Sequence, residues 1–148
     1  VYNTMNRKFL SSTLLSVFLF SAIHKEVIAQ KYTVNIKINN LSSKKGQLLI
    51  SIFNKETGFP ENNKAAYSTL VFKEPLRSNL SLFWPKGSYA FAIVHDKNSN
   101  NKMDKNLVGA PTEAYGVSLN KTYLLKAPEF EENKFILVKD TSLVVTLK

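Results

Sequence analysis

Apolar and polar residues alternate with a period of two through most of the chain. Between Thr33 and Asn39, Val34, Ile36 and Ile38 take alternate places with Thr33, Asn35, Lys37 and Asn39. Successive side chains on an extended backbone point to opposite sides, so this pattern predicts a strand with one buried and one wet face. A second strand begins at Gly46. Leu48, Ile50 and Ile52 share one of its faces, while Leu49 and Phe53 lie on the other, so it is expected to be covered on both sides. Thr57-Gly58-Phe59-Pro60 ends it with turn residues, and residues 61–67 read as a loop or a single helical turn. Residues 69–73 form a further short strand. Leu80, Leu82 and Trp84 alternate in the next one, and Pro85-Lys86-Gly87 turns into a strand over 88–95. There Tyr89, Phe91 and Ile93 share a face, and Ala90 and Ala92 leave the other face open to a close neighbour. Residues 115–119, 134–138 and 142–147 supply the last strands. Short strands separated by turn residues, with no long stretch of helical period, predict an all-β chain. The arrangement expected is a single antiparallel β-sandwich of about seven strands.

The amino terminus breaks this pattern. Met5-Asn6-Arg7-Lys8 is a short basic segment, residues 9–23 form an apolar run, and Val27-Ile28-Ala29 puts a small residue before Gln30. The three parts together predict a secretory signal peptide over residues 1–29, with 1–4 upstream of the initiator Met5, and the run is short for a transmembrane span. The mature β domain is then residues 30–148, with no transmembrane segment. It would be exported to the periplasm, the cell surface or the medium.

Composition narrows the chemistry. The chain has no cysteine, which excludes disulfides, thiolate metal sites and cysteine nucleophiles. Lys and Arg number 20 against 11 Asp and Glu, a formal charge of +9. Nearly all of these cations are lysines spread singly through turns and strand exteriors, and only Arg7 and Arg77 are arginines. Nucleic-acid binders concentrate charge on one face and use arginine for planar contacts. The distribution therefore points to a solvated lysine-rich surface and not to a nucleic-acid partner. Lysine on edge strands also discourages edge-to-edge pairing.

The densest motif runs from Gly87 through Tyr89-Ala90 and an apolar strand to His95-Asp96, then through an Asn-rich loop to Asp104. Gly109-Ala-Pro-Thr-Glu113-Ala-Tyr-Gly116-Val-Ser118 follows. This ordered series resembles the bacterial family catalogued as domain of unknown function 2141, over about Tyr32 to Leu147. The resemblance implies an exported β-sandwich related to prealbumin-type or carboxypeptidase regulatory-type modules and supplies no reaction; the sandwich expected is prealbumin-like or Ig-like. At one place the chain departs from the family pattern: Asn101 stands where the family loop carries glycine.

Within the motif, Asp96, Asn98, Asn100 and Asp104 occupy positions 1, 3, 5 and 9 of a loop. Alternate side chains on a tight loop converge, and calcium needs many oxygen ligands, so this spacing marks a calcium-type site. Lys102 would add its main-chain carbonyl from position 7. Leu107 replaces the acid expected at position 12, leaving Asn106 or Glu113 to complete the shell. With so few charged ligands the site would be weak. The alternative is an Asn/Asp turn held by its own hydrogen bonds. His95, Thr112 and Tyr115 are candidate ligand-facing residues beside the loop. No residue is assigned a catalytic role, and the leading reading is a non-enzymatic module that binds an unidentified protein or envelope polymer. Two other classes stand beside it. One is a small hydrolase or isomerase using His95 with Asp96 or Glu113, which requires an accessible His95. The other is an envelope or glycan binder, which requires an exposed planar pair from Trp84, Tyr89, Tyr115 and Tyr123.

Overall fold

The computed structural model describes residues 29–123 and 126–148. The predicted signal peptide therefore lies almost wholly outside the described residues. Among the described residues there are eight strands: β1 Lys31–Asn39, β2 Gln47–Phe53, β3 Ser68–Lys73, β4 Asn79–Pro85, β5 Gly87–Asp96, β6 Tyr115–Val117, β7 Phe135–Leu137 and β8 Thr141–Thr146. A 3₁₀ turn at Asn63–Ala65 and a one-turn helix, α1, at Phe130–Asn133 are the helical elements among the described residues. The polar stretch after β2 thus contains the single turn its composition allowed, whereas α1 had no sequence signal.

The strands form two sheets. One has the order β4-β1-β8; the other has the order β3-β2-β5-β6, with β7 also paired to β5. Side chains alternate as the sequence requires. Val34, Ile36 and Ile38 of β1 and Leu80, Leu82 and Trp84 of β4 face Leu48, Ile50 and Ile52 of β2 and Tyr89, Phe91 and Ile93 of β5 in one buried cluster. Trp84 packs at its centre, with its ring 5.7 Å from that of Tyr89, 5.8 Å from Phe91 and 6.0 Å from Phe135. Among the described residues, every strand, helical turn and core residue falls between Lys31 and Leu147.

The predicted all-antiparallel arrangement is modified at one pairing. β8 lies beside β1 in parallel, with Ile36 opposite Leu143 and Ile38 opposite Val145. A parallel pair cannot be joined by a tight hairpin, and here nearly the whole domain intervenes between the two strands. β8 also links the sheets, because Lys148 and Tyr115 exchange main-chain hydrogen bonds of 2.9 and 3.1 Å.

The second face of the larger sheet is covered as well, which is why β2 is buried along its whole length. Phe53 and Ala90 on that face meet Phe59, Ala66 and Phe130 in a second apolar cluster. Phe59 stands edge-on to Phe53 at 5.4 Å and to Phe130 at 5.9 Å. Further along the same face, the segment after β2 and the loop after β5 close over Leu49, Ser51, Ala92 and Val94. The sheet thus holds the Asn-rich loop against its outer surface. Among the described residues, no helix is long and apolar enough to cross a membrane.

Candidate functional site

The loop grows from the last residue of β5. Asp96 is opposite Gln47 in the β2–β5 register, and both are buried. Their side chains meet on the covered face, where Gln47 Nε2 donates to Asp96 Oδ2 at 2.7 Å and to Asn101 Oδ1 at 2.9 Å. The carboxylate then captures the returning loop: Oδ1 accepts Asn100 N–H at 3.1 Å and Oδ2 accepts Asn101 N–H at 2.7 Å. A buried carboxylate is tolerated only when its charge is met by donors, and here three donors meet it.

The next two alternate residues hold the curl. Asn98 Oδ1 accepts Asn100 N–H and Asn100 Oδ1 accepts Lys102 N–H, each at 3.1 Å. These Asx turns bend the chain without secondary structure. Ser99 and Asn101 have φ of 59° and 64°. Asn101 therefore takes up the left-handed conformation that glycine supplies in the family pattern, which asparagine tolerates better than most residues. Asp104 closes the ring, its Oδ2 accepting Asn98 Nδ2 at 2.6 Å and its Oδ1 accepting Asn100 Nδ2 at 2.8 Å.

Glu113 returns from beyond the loop to its base. It is buried, and its two oxygens accept Lys97 N–H at 2.8 Å and Asp104 N–H at 3.2 Å. One carboxylate thereby ties the beginning of the loop to its end. The structure thus brings Asp96, Asn98, Asn100, Asp104 and Glu113 into one hydrogen-bonded unit. Lys102 lies on the same turn with its main-chain nitrogen bonded to Asn100. Among the described residues, no cluster of three or more His, Asp or Glu side chains is spaced to hold a metal. Asp96 and Glu113 spend their oxygens on main-chain nitrogens and on Gln47.

The three candidate ligand-facing residues separate. His95 is fully buried, on the core side of β5, and its Nε2 lies 2.9 Å from the Lys45 carbonyl oxygen. Its Nδ1 is buried without a hydrogen-bond partner among the described residues. Thr112 is exposed, and its main-chain nitrogen donates to Asp104 O at 2.8 Å. Tyr115 is half-buried and lines a cleft of about 560 Å³ together with Pro60, Met103, Val108, Pro111 and Tyr123. On the rim of this cleft the Tyr123 hydroxyl donates to Glu132, a bond that holds its pKa above the ordinary 10. The Lys126 ammonium stands 4.9 Å from the Tyr123 ring centroid, and its hydrogen bond to Glu129 raises its pKa. Trp84 and Tyr89 are buried in the core.

Sequence reasoning missed two residues. Gln47 is the support of Asp96, and its signal was a polar side chain opening a mostly apolar strand. Asn63 donates to the Asn101 carbonyl at 3.0 Å, a contact across 38 residues that no local pattern encodes.

No match to the chain was found among curated proteins or among solved structures. The family model described as an uncharacterized protein conserved in bacteria (DUF2141) matches residues 36–145. That span runs from within β1 to the buried Val145 of β8 and contains the whole loop. The chain, with its His-Asp strand end, Asn-rich loop and returning glutamate, belongs to the DUF2141 family.

Proposed function

We propose that this chain is an exported, non-enzymatic β-sandwich module that acts by binding, and that the loop at 96–104 takes a weak calcium ion. The observation that carries the ion is the convergence of Asn98 and Asn100 on the two oxygens of Asp104. The side chains of Asn98, Asn100 and Asp104 already meet, and turning the two amides would present their oxygens to a cation in exchange for their bonds to Asn100 N–H and Lys102 N–H. The donor set suits calcium, which takes carboxylate, amide and carbonyl oxygens in flexible geometry. Asp96 and Glu113 shape the loop through main-chain nitrogens, and Lys102 would offer its carbonyl. An ion held in this way steadies the loop and supplies no reaction.

The burial of His95 and the full engagement of Asp96 and Glu113 speak against chemistry at this strand end, because no substrate atom reaches them. The polymer-binding alternative loses Trp84 and Tyr89 to the core, and Lys126 occupies one face of Tyr123.

Calcium titration of residues 30–148 by calorimetry, with thermal melts alongside, tests the ion. We expect a dissociation constant on the order of 10⁻⁴–10⁻³ M and a melting temperature that rises with calcium. Both effects should vanish in Asp104→Asn. This variant is preferred to a change at Asp96, which holds the loop even without an ion. Absence of heat and of any melting shift at calcium well above that range would leave an ion-free polar turn.

A further inference from the structure

Directly after Asp104 the chain makes a prong that ends in two aliphatic side chains. Leu107 is exposed to its full extent and Val108 to 86 %. The prong is built and not loose. Asn106 N–H donates to the Ala110 carbonyl at 2.9 Å, and Gly109 N–H donates to the Asn106 carbonyl at 3.0 Å. Asn106 Oδ1 accepts Val108 N–H at 3.1 Å and Ala110 N–H at 2.9 Å. At its base Lys105 pairs with Pro111. A rigid turn that holds adjacent aliphatic residues in water gains nothing for the fold, since their burial would be favourable and the fold does not bury them.

We propose that this prong inserts into an anionic lipid surface and attaches the domain to it peripherally. Three features select a bilayer over other occupants. The almost fully exposed aliphatic area is the two-residue tip, with Val108 also at the edge of the cleft; that is short of the extended patch a stable protein interface needs, whereas a bilayer accepts a few inserted side chains anywhere on its surface. Residues 30–148 carry 17 Lys and Arg against 10 Asp and Glu, a formal charge of +7, which draws the domain to an anionic surface and repels a second copy of itself. Lys102 and Lys105 precede the tip and Lys126 lines the cleft beside Val108; Lys105 is paired with Glu61 and Lys126 with Glu129, so Lys102 is the one of the three without an ion pair among the described residues. The proposal does not require the calcium ion.

The chain has no cysteine, so a single Val108→Cys can carry an environment-sensitive dye on residues 30–148. Vesicles of equal parts phosphatidylglycerol and phosphatidylcholine should shift its emission to the blue. The same dye on Ser142→Cys, at the start of β8 and away from Tyr115, should not respond, and phosphatidylcholine vesicles should shift neither. In unlabelled protein, Leu107→Asp should lower co-sedimentation with the anionic vesicles about tenfold, the scale of one leucine returned to water. Co-sedimentation without a shift at position 108, or unchanged binding of Leu107→Asp, would mean that lysines alone hold the protein and would overturn the proposal. Failure to bind the anionic vesicles would do the same. So would a concentration-dependent shift without lipid, which would identify a second copy as the occupant.

Discussion

Glu113 shows how one side chain can organise a loop longer than itself. Its two oxygens reach Lys97 N–H and Asp104 N–H, so it fastens both ends of a segment that contains no regular secondary structure. Hydrogen bonds to a charged acceptor are worth more than neutral ones, and a buried donor left without a partner costs its full desolvation. Glu113→Ala should therefore lower stability by about 1.5–3 kcal/mol, measured by thermal melting in the presence of a chelator so that no ion contributes. Glu113→Gln keeps one oxygen as an acceptor and should lose less. Equal losses in the two variants would mean that shape and not hydrogen bonding sets the contribution. The spacing of Asp96, Asn98, Asn100 and Asp104 was legible in the sequence because Asx turns are local. Gln47, which supports Asp96 from 49 residues away, was not, because strand register decides which residues meet across a sheet.

At the level of elements, β6 shows why a glycine suits position 116: it lets β8 come near. A methyl group added there would stand 2.6 Å from Val145 Cγ1 and 3.0 Å from the Thr146 carbonyl oxygen. The side chain could turn away, but the main-chain carbonyl cannot move without disturbing β8. Gly116→Ala should thus cost about 1–3 kcal/mol by overpacking, read as a lower urea midpoint with an unchanged slope. A neutral outcome would show that β6 and β8 separate easily. The strands themselves were readable from alternation, since each has one face in the core. The helix α1 was not, because four residues carry no periodicity; its Phe130 is held by Phe59 from a distant part of the chain.

For the whole molecule, one aromatic cluster joins the two sheets. Trp84 of β4 lies against Tyr89 and Phe91 of β5, so its fluorescence reports the contact between sheets, while circular dichroism reports the strands themselves. A small domain with one shared core unfolds in a single step. Urea transitions followed by the two probes should coincide; an earlier loss of the tryptophan signal would mean that the sheets part before they melt.

By itself the sequence determined the strand positions, the buried faces, the Asn/Asp spacing of the loop and the family motif. All of these depend on residues close together in the chain, or on a side-chain period that extended backbone imposes. Only the tertiary structure decided that β8 lies parallel to β1, that loops cover the outer face of the larger sheet, and that His95 is sealed in the core. It also decided that Glu113 spends its oxygens on main-chain nitrogens and that Leu107 and Val108 stand in water. Each of these depends on which distant segments come together, and hydrophobic pattern specifies that a face is buried without specifying what buries it.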